Sequence, residues 1–163
     1  MTTHRPPRTP RPSQEMPMLL GEMSWPTFQT QAREGYAIVP VGAVEPHGPH
    51  LPLAADTMIS EYFAGRLARE LGGFLAPSIG YGVATPPQRL GGDFPGVINL
   101  RGSTFTSLVT DVLTALARCG VRRYVIVNSA IDNMAFLCES ARILTDTAPD
   151  THIMIVNWWD VVG

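Results

Sequence analysis

Glu45, His47 and Asp56 are the residues of this chain whose types and spacing point most directly to chemistry. Glu45 and His47 are two positions apart, so in an extended segment both side chains leave the same side. Asp56 brings a second carboxylate shortly after the imidazole. Two carboxylates and one imidazole form a donor set suited to zinc, manganese or a similar divalent cation. The same residues also fit a strand end with a capping Glu and a surface His. Spacing alone leaves both readings open.

The elements that must position these groups follow from periodicity. The run Ala37-Ile38-Val39-Pro40-Val41-Gly42-Ala43-Val44 ends directly at Glu45 and reads as a buried strand, set at 36–44. A short lead-in strand is expected over 18–22, then a helix from Trp25 to Gly35 with Pro26 in its first turn. Ile59, Phe63, Leu67 and Leu71 recur every four residues, which predicts a helix over 57–71 with that stripe buried. Gly72-Gly73 stops it, and Asp56 suits its N-cap. A strand over 74–79, a Gly/Pro-rich loop over 80–102 and a helix over 103–118 follow, with Leu108, Val112, Ala115 and Leu116 on one side of that helix. A strand over 123–128, a helix over 133–148 and a strand over 151–158 complete the pattern. Alternation of this kind predicts an α/β fold with a parallel sheet covered on both faces. Ligands bind outside the carboxyl ends of such strands. Glu45 and His47, then Ser78 and Tyr81, then Asn128, Asp132 and Asn133, then Trp158, Trp159 and Asp160 all fall at that edge.

Composition narrows the class. The chain has 163 residues, enough for one domain with a real core. Residues 1–17 are Pro- and Arg-rich and are expected to be a disordered tail; residues 18–163 form the domain. Charged residues make up 16% and hydrophobic residues 45%. A typical chain carries about 25% charge; so low a share fits a homo-oligomer that hides surface, and equally a small, well-buried α/β domain. The net charge of −2 and the lack of a basic stripe argue against nucleic acid. No apolar run approaches the roughly 18 residues needed to span a membrane, and the N-terminus has no signal-peptide core. A cytoplasmic protein is expected. Cys119 and Cys138 are the only cysteines, expected to be buried and inert.

Several motifs together resemble the creatininase family of metal-dependent amidohydrolases. Val39-Pro40-Val41-Gly42-Ala43-Val44-Glu45-Pro46-His47-Gly48-Pro49-His50 is similar to its first signature, in which Glu and His are metal ligands. Asp56 falls where the family has an Asp that bridges two metals. Gly80-Tyr81-Gly82 and Gly91-Gly92-Asp93-Phe94-Pro95-Gly96 resemble a loop ending in Phe-Pro-Gly. Val125-Ile126-Val127-Asn128 leads into the second metal motif, and Asn157-Trp158-Trp159-Asp160 resembles the Trp-Asp segment of the creatininase branch. The resemblance implies a three-layer α/β/α sandwich with a mainly parallel sheet. It also implies an oligomer, and two divalent ions, zinc or manganese, that activate water against a small cyclic amide such as creatinine, giving creatine. Ser78, Tyr81 and Trp159 are the candidates for substrate contact.

Two departures from the pattern temper that implication. The second motif reads Asn128-Ser129-Ala130-Ile131-Asp132-Asn133. Ala130 stands where the family has a ligand His, and Ser129 replaces a Gly and adds bulk. Asp132 stands where creatininase has a ligand Glu, shorter by roughly 1.5 Å, one C–C bond. The chain also ends before the family's C-terminal segment, which supplies a further His and Glu. One tightly held ion instead of two is therefore expected, on His47, Asp56 and Asp132, with Glu45 left in an incomplete second site. The implied activity is an impaired amidohydrolase; the alternative is a non-catalytic relative acting as an assembly partner or ligand binder.

Overall fold

A computed structural model describes residues 16–83, 86 and 93–161. The tail up to residue 15 and the Gly91-Gly92 pair of the loop motif lie outside the described residues. In chain order the elements are β1 (Met18–Leu19), a 3-10 turn (Leu20–Glu22), α1 (Trp25–Glu34), β2 (Ala37–Val41), α2 (Ala55–Leu71) and β3 (Phe74–Leu75). Then come α3 (Gly102–Arg118), β4 (Arg123–Asn128), a second 3-10 turn (Ile131–Asn133), α4 (Met134–Thr147), β5 (His152–Asn157) and a last helical turn, α5 (Trp158–Val161).

All five strands are parallel, in the order β1-β3-β2-β4-β5. The strands alternate sides as a pleat requires. Val39 and Val41 of β2, with Tyr124 and Ile126 of β4, enter one core; Phe105, Val109 and Leu113 of α3 and Leu137 and Leu144 of α4 pack into it. Ile38, Val125 and Val127 face the other side, against Ala64 and Ala68 of α2. The architecture is thus the expected three-layer α/β/α sandwich.

Differences from the sequence reading have local causes. β3 stops at Leu75 because Pro77 has no N–H to offer; pairing resumes as a single bridge between Val41 and Ile79. The stripe of α2 that is fully buried is Ser60, Ala64 and Ala68, with Phe63 and Leu67 flanking it and Leu71 exposed. Small side chains let the helix approach the sheet closely, so the large ones are pushed to the margins. On α3 the buried stripe is Phe105, Val109, Leu113 and Leu116, and Leu108 is exposed. Cys119 and Cys138 are exposed, against the expectation of buried thiols: Cys119 caps the surface end of α3, and Cys138 lies on the outer side of α4. The strand expected to reach Trp158 ends at Asn157, where the chain turns into α5.

The expectation that helices cover both faces holds only in part. On the α2 side, Met154 on the edge strand β5 is 61% exposed. A groove of about 490 Å³ runs there among Phe63, Leu67, Val125, Val127, Met154 and Trp158. Among the described residues, no helix is long and apolar enough to cross a membrane.

Candidate metal centre

β2 sits where the sheet order reverses: the chain leaves it by α2 to reach β3 on one side, then returns by α3 to β4 on the other. Such switch points open a crevice at the carboxyl edge. The segment after β2 lies at that edge, and its backbone is closed on itself by Glu45 N–H donating to the Leu53 carbonyl (2.9 Å).

Glu45, His47 and Asp56 converge there, each offering a ligand atom within 4.8 Å of the others. The His47 Nε2 lies 3.4 Å from Asp56 Oδ1 and 3.7 Å from Glu45 Oε1. Its Nδ1 lies 3.2 Å from the Glu45 main-chain carbonyl. A carbonyl only accepts, so Nδ1 carries the proton in that bond, and in the neutral ring the Nε2 lone pair faces the two carboxylates. That is the tautomer a metal ligand needs. The spacings also fit an ion. Two donors each about 2.1 Å from one tetrahedral ion lie about 3.4 Å apart.

Asp56 sits in the first turn of α2, which begins at Ala55. The helix thus starts two residues earlier than predicted, and Asp56 is not its N-cap; Ala54 is. Asp56 is only 4% exposed. Burial pushes its carboxyl up from 3.8 to about 6; the His47 imidazole opposes the rise, and the Glu45 carboxylate adds to it. A divalent ion bound there would offset the repulsion between the two carboxylates.

The first turn of α2 is docked tightly. A Cβ on Gly42 would lie 2.5 Å from the Thr57 backbone, so only glycine permits this approach. Thr57 Oγ1 donates to the Ala43 carbonyl (3.2 Å), and the Ser129 hydroxyl donates to the Asp56 carbonyl. Behind the crevice lies an asparagine network that sequence reasoning placed at the edge without assigning it a role. Asn133 donates to the Gly42 carbonyl (3.0 Å) and accepts from Val83 N–H (2.9 Å). Asn128 donates to Asn157 Oδ1 (2.9 Å), and Asn157 donates to Asp160 (2.8 Å). Two asparagines ending strands, Asn128 and Asn157, and a third opening a helix, Asn133, were the available signal.

The remaining candidates spread out. Asp132 is half-buried on the second 3-10 turn and does not belong to the compact group of three. Ala130 is buried beside it. The Ser78 hydroxyl is bonded to Glu61 on α2, in a groove shared with Leu19 and Glu22. Tyr81 is 51% exposed. Trp159 packs edge-on against Trp158, with centroids 6.2 Å apart.

A carboxylate-imidazole cluster at the carboxyl edge of a parallel sheet defines an α/β protein with a candidate divalent-metal centre. The family profile of creatininase, creatinine amidohydrolase, matches residues 21–162, and the chain belongs to the creatininase family. It is 29% identical to creatinine amidohydrolase of Pseudomonas putida over 153 residues, 89% of this chain and 59% of that protein. It is 32% identical to the mycofactocin precursor peptide peptidase of Mycobacterium tuberculosis over 117 residues, 66% of this chain and 45% of that one. A mutant creatininase complexed with creatine superposes with a TM-score of 0.85 at 28% identity, covering 90% of this chain and 60% of the other. Matching creatininases also include a Mn form and a Zn-Zn form, each with a TM-score of 0.82. The chain therefore spans about 59% of the length of the creatinine amidohydrolase it matches.

Proposed function

We propose that this chain holds one divalent ion, zinc or manganese, between Glu45, His47 and Asp56, and acts as an impaired amidohydrolase on a small cyclic amide of the creatinine type. The observation that carries the reading is the spacing of the three donor groups, 3.4 and 3.7 Å about the His47 Nε2. Three protein ligands are what a catalytic-type ion uses, with a further position left open. Asp132 stands outside that group. A bound ion would supply Lewis acidity and lower the pKa of water. The chain's own groups hold the site: His47 is oriented by the Glu45 carbonyl and Asp56 by the docked helix; Tyr81 and Trp159 remain the proposed substrate contacts. The peptidase among the relatives extends the substrate class to open-chain amides. A homo-oligomer in the cytoplasm goes with this reading.

Elemental analysis of the purified protein tests it. About one tightly held ion per chain is expected, lost in His47→Ala, with creatinine turned over slowly or not at all. Position 130, where the resemblance places a ligand His, holds Ala, so the second ion is not expected. Two tight ions, or none after growth in metal-rich medium, reject the metal assignment; robust creatinine turnover rejects the impairment.

A further inference from the structure

Ser129 stands where the resemblance leads one to expect glycine, and its hydroxyl is neither exposed nor idle. The residue is 5% exposed, one position beyond β4. Its N–H donates to the Val41 carbonyl (3.1 Å), extending the β2–β4 pairing by a step. Its Oγ reaches two acceptors, the Val41 carbonyl at 3.2 Å and the Asp56 carbonyl. Both acceptors are carbonyls, so the hydroxyl is the donor, and its single proton goes to the nearer one, Asp56.

We propose that Ser129 is a positioning residue for the metal centre, tethering the backbone of Asp56 to the end of β4 so that the Asp56 carboxylate is held against Glu45 and His47. This inference rests on the metal assignment above. Asp56 lies on α2 while Glu45 and His47 lie on the segment after β2, so their separation depends on how α2 is fixed. Thr57 ties the helix to Ala43 on the ligand segment; Ser129 ties it to the neighbouring strand. The hydroxyl of Ser129 thus adds a second polar tie to the one that Thr57 makes, at a different strand. Metal–ligand distances tolerate only about 0.2 Å, so a small pivot at the Asp56 Cα weakens binding. Position 130, the next residue, holds no ligand that could compensate. Alanine at 129 would fill nearly the same space but tether nothing, which separates positioning from packing.

The test is Zn²⁺ affinity, by competition with a chromophoric chelator, in the parent, Ser129→Ala and Ser129→Gly. Groups that orient metal ligands are worth about 10–100-fold in affinity, and both variants are expected to weaken Zn²⁺ by about tenfold or more. The visible spectrum of the Co²⁺-loaded protein should shift in Ser129→Ala, because the ligand geometry changes. Equal affinity and an unchanged Co²⁺ spectrum overturn the proposal, even if the metal-free variant melts earlier, since that pattern marks a purely structural hydroxyl. If Ser129→Ala does not fold, Ser129→Gly decides on the same criteria; if neither folds, Ser129 is a folding residue and the proposal is wrong. A parent that binds no Zn²⁺ rejects the metal assignment and this inference with it. A tight-binding parent with unaffected variants rejects the positioning role alone.

Discussion

Asp56 is the residue at which the site works against the fold. Its carboxyl is buried beside Glu45, and its pKa rises from 3.8 to about 6. The folded chain therefore holds that proton more tightly than the unfolded chain. Without metal, the contribution to stability is full below 3.8 and is lost as pH rises through about 6, a loss of roughly 3 kcal/mol by proton linkage. Urea midpoints measured in chelator across that window should fall with rising pH in the parent and stay nearly level in Asp56→Asn. Parallel profiles for the two proteins would show that Asp56 keeps an ordinary carboxyl. At this scale the sequence was most legible where residue type decides chemistry: Glu45, His47 and Asp56 are together. It was least legible where a role depends on a partner distant in sequence. Ser129 read as added bulk because its acceptor lies 73 positions away, and Asp132, read as a ligand from motif order, stands outside the compact group of three.

The element that sets the site is α2, and its docking depends on a missing side chain. Gly42 is in contact with the Thr57 backbone, so Gly42→Ala must push the first turn of the helix away from the sheet. Overpacking of this kind costs typically 1–3 kcal/mol, and about 3 is expected where the clash is with backbone. The same displacement carries Asp56 with it, so Zn²⁺ affinity should fall alongside the denaturation midpoint. A Gly42→Ala protein with the parent's midpoint and affinity would show that the helix is not held where the structure puts it. Elements were legible as strand and helix because continuous apolar runs and period-four patterns are strong. Their buried stripes were less so. On α2 the rule that large apolar residues face the core gave Ile59, Phe63, Leu67 and Leu71, whereas close packing on a sheet selected Ser60, Ala64 and Ala68. The end of β5 was missed for a related reason, since Trp158 is apolar enough to extend a strand and yet begins a helical turn.

At the scale of the whole molecule, the low share of charge, 16%, finds a structural counterpart. One face of the sheet is covered by α1, α3 and α4. On the other, α2 covers β2 and β4 but leaves β5 open. The groove of about 490 Å³ on that side is walled by aliphatic and aromatic side chains, Trp158 and the exposed Met154 among them. β5 is also the edge strand, with no strand paired to its outer side among the described residues, and such edges recruit further chain unless blocked. An apolar surface next to an open edge is the composition of an interface. Self-association through this face is therefore expected, with a stable contact burying on the order of 1,200–2,000 Å² in total. Light scattering coupled to size exclusion should show a species larger than one chain at micromolar concentration. Met154→Glu, which puts a charge into the groove and touches none of the three site residues, should shift that species towards monomer without changing Zn²⁺ stoichiometry. A parent that stays monomeric when concentrated, or an oligomer indifferent to Met154→Glu, would place the association surface elsewhere or remove it.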